Sequence, residues 1–292
     1  MSFNRLNKTK MRKLKSSLTL ATLLVIVISL SPGCTKDTKE EAIDNETGSA
    51  LDHAFAQATY DDVGAIADQA ALSGFLSTYK FGKGKSILLA QCATIAHDTS
   101  ITPKQVIVDF GTSNCLCIDV RYRRGKIIIA YNGAYRDSGS SHIISFDDYF
   151  VNDYKVEGTK TVTNGGHNLN GNLFFNISVD GLITSPSGNT LDWDSNRLRE
   201  WVQGEGTPSW MDDVYEISGS ATGNSLSGID FTAVITDPLV IALNCKWVKD
   251  GNLEFTPAGL ETRYIDYGHV GGNCDKLAKV TIAGYDFIIE LR

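Results

Sequence analysis

The feature that most constrains this fold is the alternation of apolar and polar residues in the second half of the chain. Leu173, Phe175, Ile177 and Val179 occupy every second position, with mostly polar residues between them. Successive side chains of a β-strand point to opposite faces, so this segment predicts a strand with one buried face. The same period recurs around Phe231.

Turn dipeptides separate many of the alternating segments. Candidate turns contain Asn132-Gly133, Asn164-Gly165-Gly166, Asn170-Gly171, Asp180-Gly181, Ser187-Gly188-Asn189 and Asp250-Gly251. Short turns of this kind join antiparallel neighbours, and about a dozen strands do not remain one flat sheet. We therefore predict a mainly β domain over residues 81–292, an extended antiparallel meander that forms a curled sheet, a sandwich or a partial barrel. No alternation of strands with helices is visible, which disfavours an α/β fold.

Residues 49–80 have a different spacing of apolar residues. Apolar residues recur there at spacings of three and four, which predicts a short helical element. The pattern fits one or two helices, with Asp61-Asp62 at the start of the second and Gly64 and Gly74 weakening it.

The first 33 residues are typical of an export signal. Six basic residues lie within residues 1–15, and an apolar run follows from Leu18 to Leu30. That run is too short for a comfortable transmembrane helix. Met1 and Met11 are both candidate start residues.

Cys34 directly follows this export signal. The sequence Leu30-Ser31-Pro32-Gly33-Cys34 resembles a bacterial lipobox, which implies cleavage before Cys34 and attachment of acyl chains to it. The alternative is an ordinary secreted protein with a chance cysteine. Residues 34–48 are polar and predict a flexible tether. Lys39-Glu40-Glu41 resembles a lipoprotein export signal to the outer leaflet, so we expect an outer-membrane protein, more at the cell surface than on the periplasmic face.

Charge excludes one class of partner. The chain carries a net charge of −7, and removal of residues 1–33 leaves a still more acidic chain. A general nucleic-acid binder needs a basic surface, so nucleic acid is not an expected partner. Contact with the membrane is expected through the lipid anchor alone.

Five cysteines remain after Cys34. In an oxidising compartment they predict disulfides or buried thiols, and Cys115 or Cys117 could meet Cys245 or Cys274 across a sheet. The close pairs typical of a zinc site are lacking, so no metal is expected. The five are Cys92, Cys115, Cys117, Cys245 and Cys274.

Aromatic and acidic residues offer candidate ligand sites. Four tryptophans could form a platform for a sugar or a partner, or could simply pack: Trp193, Trp201, Trp210 and Trp247. Arg197, Arg199 and Glu200 could complete a polar site near Trp201 or form ordinary cross-strand pairs.

An acid pair for glycoside hydrolysis could come from Asp147, Asp148, Asp192, Asp194, Glu200, Asp212 or Asp213. Asp192, Asp194 and Asn196 resemble part of a calcium loop, but Arg197 stands where that loop needs glycine.

Three blocks carry a family resemblance. They are Ile107–Thr112, Cys115–Cys117 and Arg123–Ile128, and further pieces follow down to Asp266-Tyr267-Gly268. They look like a recurrent pattern in uncharacterised lipoproteins of Bacteroidota. The resemblance covers most of the mature chain and implies a source and a location, but no catalytic residues.

No nucleophile elbow, phosphate loop or dinucleotide-binding motif appears, and no cofactor is expected. The leading hypothesis is a non-enzymatic binding or scaffolding lipoprotein of the outer membrane, with an envelope protein, glycan or lipid as ligand. The alternatives are a polysaccharide hydrolase that uses an acid pair, and a carrier of lipid or lipopolysaccharide. A carrier requires an open apolar groove, and a hydrolase requires two carboxylates in a cleft with aromatic walls.

Overall fold

The structure is a computed structural model and describes residues 44–75, 93–207, 209, 211–269 and 271–291. These residues form a helix, α1 (Gly48–Phe75), and a fourteen-stranded sheet. The strands are β1 (Thr94–Asp98), β2 (Lys104–Asp109), β3 (Cys115–Leu116), β4 (Tyr122–Tyr131), β5 (Ser141–Val151), β6 (Tyr154–His167), β7 (Leu173–Thr184), β8 (Thr190–Gln203), β9 (Val214–Asn224), β10 (Asp230–Ala242), β11 (Asp250–Pro257), β12 (Arg263–Asp266), β13 (Leu277–Ile282) and β14 (Tyr285–Glu290).

The strands pair in chain order. Each strand from β4 onward lies antiparallel to the next, β1 and β2 continue the sheet beyond β4, and the short β3 pairs with the end of β4. The predicted mainly β antiparallel meander with a helical N-terminal element is confirmed. One continuous sheet with β1 and β14 at its edges takes the place of the two sheets of a sandwich.

Helix α1 lies against the apolar face of the sheet. Between Gly48 and Ala70, only Gly48 and Asp61 are exposed. The helix contacts β2, β4 and β8, and the backbone just before it accepts hydrogen bonds from Arg263 on β12. Since strands from both halves of the sheet reach the same helix, the sheet curls around it.

Of the one or two helices that the sequence allows, the structure has one, which runs through Asp61-Asp62 without a break. Both acids lie inside α1 and find cationic partners on the sheet: Asp61 approaches Lys160 at 3.4 Å and Asp62 contacts Arg123 at 2.6 Å. Gly64 also has a packing role, because a Cβ there would lie 3.0 Å from Lys160 Nζ. The helix therefore runs through signals that, in an isolated segment, favour a boundary.

Three predicted turns are wrong. Asn164-Gly165-Gly166 lies within β6, Asp180-Gly181 lies within β7, and Asp250-Gly251 opens β11. At Gly181 the reason is contact with the helix, since a Cβ would lie 2.3 Å from the ring of Tyr60. This glycine accommodates an aromatic ring from α1 and does not reverse the chain.

Two hairpins share a design that the sequence analysis missed. The β7–β8 and β9–β10 turns both read Ser-x-Ser-Gly, beginning at Ser185 and at Ser225. In each turn the first serine hydroxyl lies 2.9 Å from the second and accepts a hydrogen bond from the backbone four residues on. The two turns therefore have the same pattern of serine hydrogen bonds, although the other residues of the turns differ.

Candidate functional site: a polar pocket between helix and sheet

The tryptophans do not form a common exposed platform. Trp193 and Trp201 are buried, Trp247 is half-buried with Lys246 Nζ 4.8 Å from its ring centre, and Trp210 lies outside the described residues. Trp193 packs parallel to Tyr60 of α1, with 5.6 Å between ring centres and an angle of 6°. These contacts make Trp193 a junction between helix and sheet.

The candidate acids lie mostly on the outer side of the sheet. Asp147, Asp148, Asp192 and Asp194 are all exposed. Asp194 is opposite Asp180 on β7, and partial burial together with the charges of Asp180 and Asp192 raises its pKa. The three neighbouring acids therefore repel one another on an open surface.

The remaining acids have different surroundings. Glu200 is half-buried and accepts hydrogen bonds from Asn168 and Asn172. Asp213 is buried, and burial together with the neighbouring Asp212 raises its pKa to about 6. Asp212 is half-buried and accepts a hydrogen bond from the Thr207 hydroxyl at 3.0 Å.

The cysteines pair differently from the expected cross-sheet contacts. Cys245 forms a disulfide with Cys274, because the β10–β11 and β12–β13 loops emerge at the same end of the sheet. Cys115 is also disulfide-bonded, whereas Cys117 is a buried free thiol whose pKa is raised mainly by burial. Cys34 and Cys92 lie outside the described residues.

A small pocket, which we call the Arg197 pocket, lies between α1 and strands β6 to β9. Its volume is about 10 Å³, room for one water-sized species. The alternation of β8 explains how it forms: Trp193, Ser195 and Arg197 point inward, while Asp192, Asp194 and Asn196 point outward. The lining is completed by Gln57, Asp61, Lys160, Ile177, Val179 and Ile217.

Several buried groups in the Arg197 pocket have no hydrogen-bond partner among the residues that the structure describes. Both terminal nitrogens of Arg197, Ser195 Oγ and Gln57 Oε1 are in this state. Arg197 is 8% exposed and Ser195 is 1% exposed. Because an unpaired buried polar group loses its bonds to water and gains none in return, four such atoms around one pocket are unusual in a folded protein.

Lys160 forms the opposite wall. Its ammonium donates to the backbone oxygen of Tyr60 at 2.8 Å and lies 3.4 Å from Asp61 Oδ1. Burial lowers the pKa of Lys160 and also that of Arg197, in each case opposed by the charge of Asp61. Asp61 is thus the one acid of the lining, and it faces two buried cations.

A further cation, Arg199, lies next to this pocket along β8. Arg199 contacts the hydroxyl of Tyr135 and lies 3.9 Å from Asp68 of α1. Its guanidinium also lies over the rings of Phe175 and Tyr215, at 4.8 Å and 5.2 Å. Arg199 is therefore partnered on several sides, unlike Arg197.

The sequence predicts that Arg197 and Arg199 lie near Trp201. The structure brings Arg197 to Trp193, whose ring centre is 5.9 Å from the guanidinium carbon. The roles of Lys160, Gln57 and Ser195 were missed. The period-2 pattern of β8 does signal the inward direction of Ser195 and Arg197, yet nothing local shows that a helix covers them.

Among the described residues, no group of three or more His, Cys, Asp or Glu side chains could hold a metal ion. The helix they contain does not combine the length and apolar character needed to cross a bilayer. Comparison with protein-family models, curated proteins and solved structures returns no match.

Proposed function

We propose that this protein is a lipid-anchored, non-enzymatic binding or scaffolding protein of the bacterial outer membrane. The observation that carries the proposal is the way the concave face is occupied. Tyr60, His53 and the apolar side of α1 fill it, and the inward strand residues form one packed cluster with them. That arrangement favours a protein that presents its outer face to a partner.

The two alternatives receive less support. A lipid carrier needs an empty apolar groove, whereas the inner face of this sheet is packed against α1. A hydrolase needs paired carboxylates inside a cleft. Asp147, Asp148, Asp192 and Asp194 instead stand exposed on the convex side, and Trp193 and Trp201 are buried in the core.

The outer face of β7 to β10 is the proposed binding face. It carries short polar side chains at alternate positions, including Asn176, Ser178, Asn196, Thr222 and Thr232. Hydroxyl and amide groups of this kind donate and accept hydrogen bonds, so they favour a polar partner such as an envelope glycan over acyl chains.

Co-sedimentation with purified envelope polysaccharide tests the proposed binding face. Ser178 and Asn196 are opposite each other on β7 and β8, so the double variant Ser178→Arg/Asn196→Arg blocks the centre of the face. We expect the native chain to sediment with the glycan and the double variant to lose at least tenfold in affinity. Ile288→Arg, on the exposed side of the edge strand β14, is the matched control. Release of reducing ends by the native chain would overturn the non-enzymatic assignment.

Membrane attachment is tested separately. Cys34→Ala should move the protein from the membrane to the soluble fraction, while Cys117→Ala, which removes a buried free thiol, should leave it attached. Retention of the Cys34→Ala protein would refute lipid anchoring.

Protease treatment of intact cells tests surface display, which requires cleavage of this protein together with known surface proteins.

A further inference from the structure

We propose that the Arg197 pocket is a binding site for one small monovalent anion of halide size, held in the fork of the Arg197 guanidinium. The site does not depend on the proposed envelope role. It is argued from hydrogen bonding, charge and volume.

The Arg197 side chain supplies two unpartnered donors to the pocket, counted over the described residues. Within the described part of the chain, both terminal nitrogens of Arg197 carry N–H groups without an acceptor, and 92% of the residue's surface is buried. Guanidinium presents these donors in a rigid fork that suits an anion. Ser195 Oγ is likewise unpartnered and can donate a further bond, and a half-turn of the Gln57 amide would replace its unpartnered oxygen with an N–H donor.

Cations outnumber acids among the side chains that face the pocket. Lys160 and Arg197 line it, with Asp61 as their common acid. Asp61 lies 3.4 Å from Lys160 Nζ, and its side chain is 45% exposed, so water weakens its interaction with Arg197. His53 on α1 stays neutral beside this cation, and the neighbouring Arg199 is already paired with Asp68. One positive charge is therefore left without an enclosed counter-charge, which a bound monovalent anion would supply.

The volume of the pocket limits the size of the ligand. A pocket of about 10 Å³ accommodates one water-sized species. That space suits a monatomic anion such as chloride, while a phosphate or a sugar acid would require Gln57 or Trp193 to move.

Thermal melting of the full chain tests this site. The melting temperature is measured at constant sodium concentration in gluconate, whose anion is too large for the pocket, and then with increasing chloride, bromide or formate. At a chloride concentration ten times Kd we expect a saturable rise of about 3 °C. A greater effect of formate than of chloride would assign the site to carboxylates in place of halides and overturn the size class.

Arg197→Met keeps the length of the side chain and removes its charge. We expect this variant to lose the chloride response and to melt in gluconate no lower than the native chain, because the unpaired buried charge is gone. Arg124→Met is the matched control, since Arg124 is a partly exposed arginine paired with Asp153, and its chloride response should equal that of the native chain. An equal response in Arg197→Met would overturn the proposal.

Bromide in crystals of the native chain gives a second measurement that does not need the variant to fold. An anomalous peak within hydrogen-bond distance of the Arg197 terminal nitrogens is expected. A water molecule alone at that position, with no anomalous signal at high bromide, would refute the anion site.

Discussion

At the residue scale, single side chains decide how α1 and the sheet fit together. Trp193 donates a hydrogen bond from its indole nitrogen to His53 Nδ1 at 3.0 Å, while Tyr60 stacks on the same indole and donates to the backbone oxygen of Glu157. His53 is fully buried and must therefore be neutral, with Nδ1 as acceptor. These three rings couple the protonation of one helix residue to the packing of the core.

We predict that His53 contributes a loss of stability as the pH is lowered below about 6.5, in the opposite direction to the contribution of Asp213, whose pKa is raised to about 6. Burial, with a smaller contribution from Arg197, lowers the pKa of His53 to about 3 in the folded chain. The unfolded chain takes up a proton at its ordinary pKa of about 6.5, so between these values protonation favours unfolding and costs about 1.4 kcal/mol per pH unit. Urea denaturation at pH 7 and pH 4.5 should differ by about 2–3 kcal/mol from this residue.

His53→Gln is expected to flatten that pH dependence, because it removes the titrating group. His167→Gln is the matched control, since the His167 side chain is exposed and forms a surface pair with Glu205. If both variants kept the native slope, His53 would not be the group that links pH to stability.

Gly181→Ala should destabilise the protein by about 1–3 kcal/mol, the usual cost of overpacking a core. The new methyl would lie 2.3 Å from the ring of Tyr60, in the middle of β7. Gly206→Ala is the control, because a Cβ there would meet no atom within 4 Å. Equal melting temperatures for the two variants would contradict the close contact between Tyr60 and β7.

At the scale of elements, one buried arginine fastens α1 to β4. Arg123 is fully buried and contacts Asp62 of the helix and Asp119 of the preceding loop, both at 2.6 Å. Arg123→Met would leave Asp62 and Asp119 with only Arg121 as a cation, at 3.2 Å and 3.7 Å. We therefore expect a loss of about 3 kcal/mol in the free energy of unfolding, the lower end of the cost of breaking a buried ion pair. The adjacent Arg124, partly exposed and paired with Asp153, supplies the control Arg124→Met, whose expected loss is below about 1 kcal/mol. Faster hydrogen exchange along α1 in Arg123→Met alone would locate the effect at the helix.

The elements also show how far sequence patterns reach. Period-2 alternation predicted β7, and chain-order pairing followed from the hairpins, because both depend on neighbours in sequence. The sequence predicts a turn at Gly181 and leaves open a second helix that starts at Asp61-Asp62. Both positions instead depend on contacts with Tyr60, Lys160 and Arg123 across the core. The Arg197 pocket shares that limit: β8 indicates which side chains point inward, but only the packed helix makes them a cavity.

At the scale of the whole molecule, the sheet needs the helix as its core. Side chains on the inner face of β2 to β13 form one cluster with Ala56, Tyr60, Val63, Ile66 and Ala67 of α1, all nearly inaccessible. Without α1 that face would meet water, and apolar surface loses roughly 25 cal/mol per Å² on exposure.

We therefore predict that a chain beginning at residue 76 does not fold by itself. It should bind a hydrophobic dye, lack cooperative thermal unfolding and aggregate, because the apolar inner face of the sheet is uncovered. A synthetic peptide of residues 44–75 added during refolding should restore cooperative unfolding, and the same peptide with Tyr60→Ala should do so poorly, since it lacks the ring that stacks on Trp193. A truncated chain that unfolded cooperatively without the peptide would show that the curled sheet holds its shape alone, and the inner face would then be an open groove of the kind a lipid carrier needs.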